Sequence, residues 1–211
     1  MANKVEFGIS QLHVCTYTDD GEGNVTLGTP YHQKGAVSFS PEEQSELTKF
    51  FADNIDYWSG YSGGSFEGDL EVAKFDDEFK TSFLGYKRLT NGGLALVKNA
   101  TKPKVCIAFQ VEGDAESRRV IFYNATFGAI TREFATIEEE KEPATETLAV
   151  TITGDNYTGV SMASLKPDDA GYDTLFTSPA APELESESES YRSTDKGAAR
   201  EGRLFLFYLG G

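Results

Sequence analysis

The sequence predicts a mainly β protein, a β-sandwich or barrel with one short α-helix packed on the sheet and a long interaction loop. Two observations carry this. Apolar and polar residues alternate through most of residues 4–153, the pattern of antiparallel strands with one face in a core. Helix start and stop signals meet at a single short segment, Asp76 to Gly85.

In the first strand Val5, Phe7 and Ile9 share a face, and Leu12, Val14 and Thr16 resume the alternation after an irregularity near Ser10 and Gln11. The run Asp19-Asp20-Gly21-Glu22-Gly23-Asn24 reverses the chain, because glycine accepts the positive φ that tight hairpins demand. Phe50, Phe51, Tyr57, Trp58, Tyr61 and Phe66 crowd a segment that also holds Asp53, Asp56, Gly60, Gly63 and Gly64. That mixture suits an exposed loop, whose aromatics either fold back onto the core or anchor an interface. The helix follows: Asp76 caps its N-terminus, Asp77 and Glu78 suit the positive end of the dipole, and Gly85 supplies a left-handed C-terminal cap. Phe79, Phe83 and Leu84 form its apolar stripe, and so short a helix needs that stripe packed on a sheet to be stable. Lys104 to Glu112 reads as a strand with Val105, Ile107, Phe109 and Val111 on one face and Cys106, Ala108 and Gln110 on the other. Gly113-Asp114 turns the chain into a returning strand from Arg118 to Thr126.

Composition changes after Gly154, which places a β-domain over residues 1–155 and a C-terminal arm over 156–211. Residues 168–189 carry seven acidic side chains and no Lys or Arg, too little apolar area to offset ordering entropy, so the arm is expected to be partly disordered. Arg203 to Leu209, in contrast, is apolar and β-prone. It either adds a strand to a neighbouring sheet or reflects the gene's boundary.

The chain of 211 residues has a formal net charge of −15, which argues against a surface built to hold nucleic-acid phosphates. Acidity serves solubility, or it lines a passage through which a polyanion slides without sticking. Cys15 and Cys106 lie in apolar runs and read as buried thiols, with one disulfide as the other option. His13 and His32 occupy ordinary strand and turn positions. The Asn-x-Thr triplets at Asn24, Asn99, Asn124 and Asn156 read as turn and strand sequences. The Asp19–Asn24 turn fails the calcium-loop spacing, and the glycines at 60, 63 and 64 do not join a strand to a helix as a phosphate cradle would. No nucleophile elbow, P-loop, His-Glu-x-x-His or Cys-x-x-Cys motif occurs. Catalytic residues, metal ligands and cofactors are therefore expected to be none. No secretion signal or span-length apolar run is visible, so the expected place of synthesis is the cytoplasm.

Six pieces, taken in order, resemble the major tail protein, or tail tube protein, family of long-tailed, non-contractile bacteriophages over residues 1–155. They are Lys4 to Ile9; Gly28-Thr29-Pro30 followed by Gly35-Ala36-Val37; Ala52-Asp53-Asn54-Ile55 with Tyr57 and Trp58; Gly68-Asp69-Leu70-Glu71-Val72-Ala73; Asp76-Asp77-Glu78-Phe79; and Thr145 to Thr151. The resemblance implies a tail-tube-type β-sandwich or barrel whose helix packs on the outside. It implies that the loop holding Phe50, Phe51, Asp53, Asp56, Tyr57, Trp58, Tyr61 and Phe66 reaches adjacent subunits. It further implies a structural virion protein that self-assembles in the host cytoplasm into stacked, hexameric rings, a conduit for DNA during ejection. Its partners would be itself, the tape measure protein, the tail terminator and the distal tail or tail-tip proteins, with DNA passing unbound and no membrane involved. The competing reading is a monomeric β-sandwich carbohydrate-binding or adhesion module that stacks Tyr57, Trp58 and Tyr61 on sugar rings.

Overall fold

A computed structural model of the chain describes residues 8–52, 55–132 and 144–184. Among them are β1 (Gly8–Asp19), β2 (Val25–Leu27), β3 (Tyr31–His32), β4 (Ala36–Ala52), β5 (Ile55–Val72), α1 (Asp77–Phe83), β6 (Tyr86–Arg88), β7 (Leu94–Leu96), β8 (Val105–Glu112), β9 (Arg119–Arg132), β10 (Glu146–Ile152) and β11 (Met162–Leu165). The fold is mainly β with one short helix, as the alternation predicts.

Every ladder is antiparallel. The main sheet runs β2-β1-β8-β9-β10-β5-β4, with β3 also pairing β1 and β11 pairing β9, while β6 and β7 form a separate two-stranded sheet. The main sheet is open but strongly curled. Phe39 of β4, at one edge, packs edge-to-face on Phe109 of β8 and Phe122 of β9 at 5.8 and 5.5 Å. The concave side encloses a core of Leu12, Val14, Leu70, Ile107, Phe127, Leu148 and their neighbours, and Phe75, Phe79, Phe83 and Leu84 close it from the helix.

Several expectations hold in detail. The ladder between β1 and β8 shifts between Ser10 and His13, and Gln11 takes a φ of 54°, the irregularity read at that point. In the following turn the Asp20 carboxylate accepts from the Glu22 and Asn24 N–H groups at 2.8 and 3.1 Å. Gly85 sits at φ 73° past the helix end, a conformation that favours glycine.

Others are corrected. Asp76 stands at the N-cap with extended backbone but makes no side-chain cap bond; its carboxylate instead accepts from the Tyr31 hydroxyl at 3.1 Å. The aromatic segment is not a loop: it belongs to the long hairpin of β4 and β5, whose pairs include Phe50 with Trp58 and Ala52 with Ile55. Asp53 and Asn54 lie outside the described residues. The second face of β8 is buried as well, in keeping with the reading of Cys15 and Cys106 as buried thiols: Cys106 and Ala108 join Cys15, Tyr17, Ile121 and Tyr123 in a second core. Residues beyond 155 cover that core: β11 pairs β9, Leu175 is part of the second cluster, and Val160, Leu165 and Phe176 pack against it. The low-complexity run from Glu185 and the apolar segment from Arg203 to Leu209 lie outside the described residues.

Candidate assembly surface

The β4–β5 hairpin divides into two parts with different surroundings. Near its base, β5 is sandwiched between β4 and β10, from Val72 opposite Glu146 to Phe66 opposite Ile152. There the ladder is tight: a Cβ at Gly68 would run into the Ser40 carbonyl and the Pro41 backbone. Past Phe66, β5 pairs with β4 alone among the described strands. Apart from a hydrogen bond from the Ser161 hydroxyl to the Gly64 carbonyl, this part forms a two-stranded ribbon. The eight residues from Ser62 to Ile55 at strand rise project it roughly 25 Å.

The site residues read from the sequence separate accordingly. Phe50, Phe51, Asp56, Tyr57, Trp58 and Tyr61 occupy ribbon positions, with Leu47 opposite Tyr61 and Phe51 opposite Asp56. Phe66 does not belong with them. It is half-buried against the core and meets the Phe122 ring edge-on at 5.5 Å.

Phe75, Phe79, Phe83 and Leu84 come together in the first core. Phe79 stacks on Phe75 at 4.9 Å and meets Phe127 at 5.8 Å, and Phe79, Phe83 and Leu84 are all buried. What the sequence reading missed is the polar clamp beneath them. Glu146, 2% exposed, accepts from the Phe75 N–H at 2.8 Å and from Lys80 Nζ at 3.1 Å, and Arg132 reaches it at 3.2 Å. Burial alone would raise its pKa, but these partners outweigh burial and hold it below the usual glutamate range. The signal was present in the sequence: Glu146 shares strand parity with Leu148, Val150 and Ile152, so the pattern itself puts a carboxylate on the core face. Gln33, 1% exposed, acts similarly, donating to the Lys34 and Lys74 carbonyls at 2.8 and 3.1 Å.

Other buried titratable groups pack against well-defined neighbours. Cys15 and Cys106 are free, buried thiols facing each other across the β1–β8 ladder. His13 stacks between His32 at 4.6 Å and Phe176 at 4.4 Å; burial lowers its pKa, helped by nearby His32 and Arg119 and opposed by its bond to the Gln11 carbonyl. Asp155 accepts the Tyr17 hydroxyl at 2.7 Å and the Thr158 N–H at 2.7 Å, closing the turn that leads into β11. Among the described residues no His, Cys, Asp and Glu group is arranged to hold a metal, and no helix is long and apolar enough to cross a membrane.

Comparison with known proteins gives this architecture its context. No curated protein sequence matches the chain. Among solved structures, the tube-terminating cap of the anti-feeding prophage is similar at 10% identity and a TM-score of 0.46, covering 78% of this chain and 95% of that one. A chain of an extracellular contractile injection system sheath–tube complex matches at 13% identity and a TM-score of 0.41, covering 77% and 94%. Hcp1 from Salmonella typhimurium matches at 7% identity and 0.29, covering 74% and 93%. The family model described as phage tail tube protein matches residues 2–174. That match spans the first core, most of the second and the whole β4–β5 hairpin, and the chain belongs to the phage tail tube protein family.

Proposed function

We propose that this tail tube protein assembles into stacked, hexameric rings that form the DNA conduit of a phage tail, with the β4–β5 ribbon as the element that reaches a neighbouring subunit. The observation that carries this reading is the ribbon itself. A two-stranded ribbon is at best marginally stable in water without further packing, yet this one extends past its sheet with aromatic residues at Phe50, Phe51, Tyr57, Trp58 and Tyr61. Such residues are enriched where partners bury contact area. Closed cyclic symmetry supplies that burial and covers the free edge of β4, since each subunit offers the same surfaces to the next.

The lumen wall in this reading is polar and acidic, so that DNA slides past without the counterion release that drives binding. Ends of the tube meet a terminator at one side and distal tail and tape measure proteins at the other, and assembly takes place in the host cytoplasm. The test is negative-stain electron microscopy with sedimentation over a range of concentration and salt. Rings or hollow tubes are expected. A monomer under every condition, including in the presence of a tail-tip complex as nucleus, overturns the reading.

A further inference from the structure

The β6–β7 hairpin is unlike the rest of the molecule. In a chain of net charge −15, the stretch between Glu78 and Glu112 holds six Lys or Arg and no acidic residue. Two of these cations are engaged at home: Lys80 pairs with Glu146, and Lys102 donates to the Gly128 carbonyl. Lys87 and Arg88 on β6 and Lys98 two residues past β7 are exposed and form no ion pair among the described residues. Around them stand Leu89, 50% exposed, Leu96, 61%, and Val97, 41%. The hairpin is a two-stranded sheet of its own, three residues a strand, so its apolar side chains lack the covering that a larger sheet provides.

A surface of opposite character lies on the polar side of β4, β5 and β10. Gly68, Ala149, Glu42, Glu67 and Asp69 are among the residues that line a groove there. Glu42 is the direct ladder partner of Glu67, and like charges facing each other across a ladder destabilise it. No basic residue lines this groove, and none of the three carboxylates forms an ion pair among the described residues. One chain thus carries a basic, apolar projection and an acidic recess that do not satisfy each other within the subunit. Two different surfaces on one chain give head-to-tail association, which closes into rings or continues as a filament.

We propose that the β6–β7 hairpin of one subunit docks against the acidic groove of a second copy, Lys87, Arg88 and Lys98 meeting Glu42, Glu67 and Asp69. This rests on the tube reading and assigns it a specific contact. The second copy is favoured as occupant because its charge complements the hairpin and relieves the Glu42–Glu67 repulsion.

The test compares the full chain with K87E/R88E/K98E, with E42K/E67K/D69K, and with a chain carrying all six changes, after thermal melting establishes that each is folded. Sedimentation and electron microscopy then read assembly. Each triple reversal is expected to raise the concentration needed for assembly by about tenfold or more. Mixing the two triple variants, or combining all six changes, restores it. Assembly of the wild type that the reversals leave unchanged overturns this contact while the tube reading stands. If neither the wild type nor the mixture associates at any concentration, with a tail-tip complex present as nucleus, both readings fall. Loss of duplex-DNA binding in K87E/R88E/K98E with assembly intact assigns the hairpin to nucleic acid instead, and also overturns the proposal.

Discussion

Replacing Glu146 disturbs three groups together, because the Phe75 N–H, Lys80 and Arg132 all converge on its carboxylate. Glu146→Gln keeps the shape and an acceptor for the N–H but removes the charge, which leaves the Lys80 ammonium, whose side chain is 11% exposed, buried without a counterion. Breaking a buried pair from one side costs about 3–5 kcal/mol, and the variant should lose about that much stability at pH 7. The pH dependence has a definite sign. With its folded-state pKa lowered, Glu146 contributes fully above the unfolded value of roughly 4.3, and the contribution is lost as pH falls through the lower folded-state value. Thermal unfolding of wild type and variant from pH 8 to pH 3 should therefore show a gap that is constant above about pH 5 and narrows toward acid. A gap independent of pH would mean that the carboxylate's charge is not what holds the helix.

At the scale of elements, the helix and the ribbon show what a sequence reveals and what it hides. The helix was legible because its signals are local: acidic residues at its start, Gly85 at its end, and Phe79 and Phe83 on one face. Its capping was not, since whether Asp76 bonds a helix N–H or the Tyr31 hydroxyl depends on a residue 45 positions away. The β8–β9 hairpin was legible from alternation and Cys106 read as buried, but what covers that second face was not, because most of the cover comes from residue 160 onward. The ribbon failed as a strand prediction for a related reason. Alternation marks a strand only when one face is buried by its own chain; the ribbon extends past its sheet, and its ladder shifts register at Gln44/Glu46 and again at Phe50/Phe51. That separation makes a prediction. Replacing residues 47–61 by an Asn-Gly turn joins Glu46 to its ladder partner Ser62 through a tight hairpin. The shortened chain should keep the melting temperature of the parent within a few degrees and no longer assemble. Tubes formed by the shortened chain would remove the ribbon from the assembly surface.

For the whole molecule, the decisive question is where the folded unit ends. Composition after Gly154 reads as an acidic C-terminal arm, and a few apolar residues among its acids reach the sheet. Leu175 is buried, Tyr172 donates its hydroxyl to the Ser117 carbonyl at 2.6 Å, and the Arg119 guanidinium lies over the Tyr172 and Phe176 rings at 4.0 and 4.4 Å. The His13 ring stacks on Phe176 from another strand. Together these contacts seal the second core over Cys15 and Cys106. Ending the chain after Leu165 should uncover it, with a loss of about 3–6 kcal/mol for the Tyr, Leu and Phe side chains no longer buried. The two thiols, inaccessible while covered, should then react with a thiol reagent in the native state. A chain ended after Leu184 keeps every one of these contacts and is the control: it should keep its thiols protected. Equal melting and equal thiol protection in the two truncated chains would mean that residues 166–184 lie on the sheet without stabilising it, and that the folded unit ends with β11.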